Sequence, residues 1–167
     1  MGNGQIITPT DTQVDLGIRV RAKAIALNPN PHNHTAAVLT MGASEAVQVF
    51  DIRTGQVLQS YLTMGTDAQG SYSGITYSAD GKQLMFSQDS SNVAVANVSD
   101  AGLLTDNLHI SVPANNTFIT CFPNSPMGDY GRLCGTFYSA STSYPGGVAF
   151  SKDGKSAYAL LNQNNTL

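Results

Sequence analysis

Residues 74–86 read Gly-Ile-Thr-Tyr-Ser-Ala-Asp-Gly-Lys-Gln-Leu-Met-Phe, and residues 147–160 read Gly-Val-Ala-Phe-Ser-Lys-Asp-Gly-Lys-Ser-Ala-Tyr-Ala-Leu. Each is a short alternating strand, a polar turn built on Ser-x-Asp-Gly-Lys, and a returning strand. Asp bonds its own backbone in such turns and Gly supplies a positive φ. Asp80-Gly81 and Asp153-Gly154 therefore read as hairpin turns, not catalytic carboxylates, with Ser78 and Ser151 capping them. A weaker third copy lies upstream: Ala24 to Pro29, a longer polar turn, then Thr35 to Leu39. One hairpin recurring every few tens of residues signals a repeat architecture.

The flanking sequence extends each hairpin. Ala46 to Ile52 alternates with period two, which predicts a half-buried strand, and Gln56 to Leu62 returns after the turn Arg53-Thr54-Gly55. In the second copy Gly74–Tyr77, Gln83–Ser87, Asn92–Val98 and Leu108–Val112 are the corresponding strands. Leu27 and Tyr77 stand 50 positions apart, and Val49 and Val95 stand 46 apart. Four strands per ~40–50 residues is the period of a propeller blade. No segment carries a sustained helical stripe. The expected fold is all-β: four-stranded antiparallel sheets forming blades of a β-propeller, as a partial ring or one completed by oligomerisation. The 167 residues divide into blades at 24–62 and 72–112, an insertion at 113–145 and a partial blade at 146–167. A blade cut after two strands leaves an open edge. The expected partner is therefore a further part of the propeller or a second copy, with the strand candidate Gln5–Thr8 as a possible filler.

Only 11% of residues are charged, against about 25% in a typical soluble domain. Asn, Ser, Thr and Gly supply the polarity, as in turn-rich β structure. The net charge of −3 and scattered basic residues, with only Arg19, Arg21 and Lys23 close together, give no footprint for nucleic acid. No apolar run reaches the ~18 residues of a membrane span. Met1-Gly2-Asn3-Gly4 has neither the basic start nor the apolar stretch of a signal peptide, and reads as a start following a removed leader. Low charge and abundant Asn, Ser and Thr suit an exported protein. In that setting Cys121 and Cys134 are expected to form a disulfide closing a small ring, with two free thiols as the competing reading.

The residues that could carry chemistry are few. His32 and His34 flank Asn33 in a proline-bounded loop, a spacing that can hold a divalent metal. No carboxylate stands near them before Glu45, so they read as weak candidates, and no metal or other cofactor is expected. His109 alternates with Leu108 and Ile110 as a solvent-facing strand residue. No Gly-x-Ser-x-Gly elbow occurs, and Gly70-Ser71-Tyr72-Ser73-Gly74 has the wrong spacing and leads into a strand. Phe118, Phe122, Tyr130, Phe137, Tyr138 and Tyr144 concentrate aromatics in the insertion. They are the binding candidates, as a recognition surface on a stapled loop or a local minicore.

The Ser-x-Asp-Gly-Lys hairpins, with Asn92-Val93-Ala94-Val95 after a short loop, resemble the inner hairpins of YVTN-type, or YncE-like, bacterial β-propellers. The opening Asn3-Gly4-Gln5-Ile6-Ile7-Thr8-Pro9-Thr10 resembles the start of exported propellers that precede an alkaline-phosphatase-type phosphoesterase domain. The resemblance implies a periplasmic or secreted scaffold and binding domain whose face loops recognise a ligand or partner. The alternative it implies is a fragment of a propeller-type hydrolase: phosphoesterase, esterase or lactonase. Such propellers usually carry about seven blades, more than this chain holds, and no phosphoesterase metal cluster follows here.

Overall fold

The two Ser-x-Asp-Gly-Lys turns fold as near copies. Ser78 Oγ donates to Asp80 Oδ1 at 2.7 Å, and Ser151 Oγ to Asp153 Oδ1 at 2.6 Å. The same carboxylate oxygens accept the backbone N–H of Lys82 at 3.1 Å and of Lys155 at 3.2 Å. Gly81 N–H closes on Ser78 O and Gly154 N–H on Ser151 O, each at 2.9 Å. The glycines take φ of +71° and +68°, where a side chain would be strained. These bonds stabilise the carboxylate form. The Ser78 hydroxyl, then the Lys82 N–H, hold Asp80 below the usual aspartate range, and Ser151 and Lys155 do the same for Asp153.

The computed structural model describes residues 13–42, 46–62, 73–113 and 143–162. They form antiparallel strands without a helix: β1 (Val20–Leu27), β2 (Thr35–Gly42), β3 (Ala46–Asp51), β4 (Val57–Leu62), β5 (Ile75–Tyr77), β6 (Gln83–Ser87), β7 (Asn92–Val98), β8 (Leu104–Ser111), β9 (Pro145–Phe150) and β10 (Ala157–Leu161). They pair in sequence order into a first sheet β1-β2-β3-β4, a second sheet β5-β6-β7-β8 and a third, two-stranded sheet β9-β10.

The registers make the sheets equivalent. Leu27 pairs with Ala36, Tyr77 with Leu84, and Phe150 with Ala157, each pair immediately bracketing the hairpin turn. The sheets stack back to front. The rear face of the first sheet carries the cross-strand row Ala26-Ala37-Val49-Gln59, and the front face of the second carries Tyr77-Leu84-Ala96. Ala37, Leu39, Val47, Val49, Tyr77, Leu84, Phe86, Ala94, Ala96 and Leu104 form one buried cluster spanning both sheets. Each large apolar group removed from water here contributes about 1.5–3 kcal/mol. Gln59 adds a polar clasp: its Nε2 donates to Leu104 O and its Oε1 accepts from Leu104 N, both at 2.8 Å. The third sheet lies against the rear of the second through β5 and β6. Gly74 permits that approach, because a Cβ there would stand 2.0 Å from Gly146 O.

The structure corrects three expectations. β3 is not half-buried: Ala46 to Phe50 are all buried, including Gln48. One face lies under the second sheet. The other carries a smaller cluster in which Val14 and Leu16 pack on Ala36, Val38 and Phe50, and Gln48 Nε2 donates to Leu16 O at 2.9 Å. β8 begins at Leu104 rather than Leu108, because Val98 pairs with Leu104 and a bulge follows between Ala96 and Asn97. β1 begins at Val20, ahead of the expected Ala24, and runs through a bulge between Ala22 and Ala24. The strand candidate Gln5–Thr8 lies outside the described residues.

Candidate functional site

Antiparallel meanders sort their connections to two ends. At one end are the turns 28–34, 52–56, 78–82, 99–103 and 151–156. At the other are the β2–β3 and β6–β7 connections, after Gly42 and at 88–91, and the two long ones, after Leu62 and after Ser111. The sheets agree on which end is which. Gly81 stands against Asn28 and Asn30, and Gly102 against Thr35, at the turn end. Gly74 meets Gly146, and Tyr144 N–H donates to Ser90 O at 2.8 Å, at the loop end. Connections carried on a rigid sheet scaffold are where recognition residues concentrate.

The loop end holds a buried polar cluster that sequence reasoning missed. Ser87, Gln88, Asp89, Ser90 and Ser143 are all buried. Buried polar groups at this density must be hydrogen-bonded. Both oxygens of Asp89 accept from Asn92 Nδ2 at 2.9 Å, and Oδ1 also accepts Ser91 N–H at 2.7 Å. Asn92 Oδ1 in turn accepts from Ser111 Oγ at 2.9 Å. Ser91 O takes the Val112 N–H at 2.9 Å, and Ser143 Oγ donates to Pro113 O. These bonds tie the β6–β7 loop to both margins of the 114–142 connection. Tyr144, at its return, holds a φ of +48°, a strained setting for a bulky residue.

His109 sits at the rim of this cluster. It pairs with Ala94 across β7 and is exposed, as expected of a solvent-facing strand residue. Its Nδ1 lies 2.5 Å from Gln88 Oε1. With the carbonyl oxygen of Gln88 as partner, Nδ1 is the donor, and Nε2 is left free to meet another group. That nitrogen can hydrogen-bond a ligand. The partner of Nδ1 is an amide, so the ring is oriented without the carboxylate of a hydrolase triad. Asp89 is bonded to the loop donors Ser91 N–H and Asn92 Nδ2.

The two histidines of the first turn fall elsewhere. His32 and His34 lie at the turn end, both exposed. His32 N–H donates to Asn30 Oδ1 at 3.0 Å within the β1–β2 turn, and His34 O accepts Ile52 N–H at 2.9 Å, tying that turn to the one after β3. Among the described residues no three His, Cys, Asp or Glu side chains come together as a metal group. Among those residues no helix is long and apolar enough to cross a membrane. Phe118, Phe122, Tyr130, Phe137 and Tyr138, with Cys121 and Cys134, lie outside the described residues. Compared with known proteins, the chain matches no family model, and no curated protein matches it.

Proposed function

We propose that the chain is part of a β-propeller that serves as a scaffold and binding domain of an exported bacterial protein, with the loop end as its recognition face. One observation carries this reading. Two sheets of identical strand order stack back to front, and the hairpin turn of the second recurs bond for bond in the third. Blades of a propeller relate to one another in this way. The binding role draws support from the loop end, where the hydrogen-bonded Gln88–His109 pair and the Asp89–Asn92–Ser111 chain stiffen the described strand ends on either side of the aromatic-rich 114–142 stretch of sequence.

The alternative, a fragment of a propeller-type hydrolase, follows from the family resemblance alone. The test is a thermal-shift screen of the full chain against saccharides, phosphate esters and divalent ions, run beside esterase, phosphatase and lactonase assays. A binding domain gives a saturable rise in melting temperature that His109→Ala abolishes, with no turnover. Metal-dependent or serine-probe-sensitive turnover by the purified chain would establish the hydrolase reading instead. Thiol titration of exported protein is expected to find Cys121 and Cys134 oxidised. Two free thiols would contradict the periplasmic or secreted location.

A further inference from the structure

Equivalent positions in the three sheets have opposite exposures. On the front faces Leu27 of the first sheet corresponds to Tyr77 of the second. Leu27 is 65% exposed and Tyr77 is 7% exposed. On the rear faces Met85 of the second sheet corresponds to Tyr158 of the third, and their exposures are 2% and 51%. In both cases the buried member is covered by the neighbouring sheet, and among the described residues the exposed member has no sheet in front of it. Ile25, 59% exposed, accompanies Leu27, and Leu160, 44% exposed, accompanies Tyr158.

The front of the first sheet and the rear of the third are thus the two halves of one interface, the interface already formed between the first and second sheets. Their widths also match. Val14 and Leu16 already occupy the part of the front face around Ala36, Val38 and Phe50. The strip left open is on β1. The third sheet is two strands wide, and β9 already covers the corresponding strands of the second sheet, β5 and β6. We infer that a second copy of this chain covers the strip, the rear of its β9–β10 sheet packing on Ile25 and Leu27. The association is heterologous, head to tail, and each copy keeps one face for the next. It rests on registers and burial alone and stands apart from the proposed recognition face.

Light scattering of the full chain on a sizing column tests it. The wild type is expected to exceed the monomer mass and to grow with concentration. Leu27→Asp and Tyr158→Asp, both at exposed sites, are each expected to be monomeric with unchanged circular dichroism. Mixed in equal amounts, they are expected to form a dimer, because one retains an intact rear and the other an intact front. Should either variant lose its fold, Ile25→Lys and Leu160→Lys carry the same test. A wild type that stays monomeric at every concentration, or a mixture that yields no dimer, overturns the inference. The first result would mean that another segment or another protein covers the strip, and the second that any dimer is symmetric.

Discussion

Replacing Tyr77 with phenylalanine should stabilise the protein at neutral pH and blunt its loss of stability in alkali. Tyr77 is packed between the first two sheets, and its Oη has no hydrogen-bond partner. The nearby Thr35 hydroxyl opposes the shift in its ionisation only weakly, without making a bond of normal geometry. An unpaired buried hydroxyl costs about 1–3 kcal/mol. Phenylalanine keeps the ring contacts and removes that cost, so a gain of about 1 kcal/mol is expected. Burial also pushes the Tyr77 phenol from 10.0 up to about 12. The raised value means the folded state holds the proton more tightly than the unfolded state. The stabilisation is therefore complete below pH 10.0 and is lost as pH rises toward about 12, where the unfolded chain ionises first. At about pH 11 the wild type should have lost about 1.4 kcal/mol that Tyr77→Phe retains. Other groups, including Tyr61, whose pKa burial also raises, titrate in both proteins and cancel in the comparison. Urea unfolding followed by circular dichroism, at neutral pH and in alkali, measures both effects. A variant destabilised by about 1 kcal/mol or more, or one with the same alkaline slope as the wild type, would refute the reasoning.

Three further outcomes follow from the packing. Gly74→Ala drives a Cβ to 2.0 Å from Gly146 O, so it should cost about 2–4 kcal/mol and loosen the third sheet, seen as faster proteolysis between residues 145 and 162. Gln59→Ala removes both bonds to the Leu104 backbone and should cost about 1–3 kcal/mol, with accelerated hydrogen exchange at the Leu104 amide. Asp80 and Asp153 ionise below 3.8, so their contribution is present above that value and lost as pH falls through their lower folded values. Thermal melts should show a drop there that is smaller in Asp80→Asn.

What the sequence made legible was local and repetitive. The Ser-x-Asp-Gly-Lys turns declared themselves because Asp and Gly at those positions serve one backbone geometry, and the pairing of Tyr77 with Leu84 follows from it. Burial on two faces was not legible. Gln48 looks like the polar member of an alternating strand, yet it lies beneath Leu16, 32 residues away. The start of β8 was hidden for a similar reason. Leu103 and Leu104 sit beside a turn, and it is the distant Gln59 side chain that ties Leu104 to the first sheet. The loop-end cluster looked like an ordinary polar connection, since Ser87 to Asn92 has turn composition. Only its long-range partners, Ser111, Val112 and Tyr144, reveal that it is buried.

The central claim, that equivalent sheets stack back to front, is tested most directly by methyl and aromatic proton contacts in solution. Nuclear Overhauser spectra should link the methyl groups of Leu39, Val47 and Val49 on the first sheet to Leu84 and the Phe86 ring on the second, and the Gly74 Hα protons to Gly146. Spectra in which the first-sheet methyls contact only their own strands, with Leu84 and Phe86 open to solvent, would contradict it.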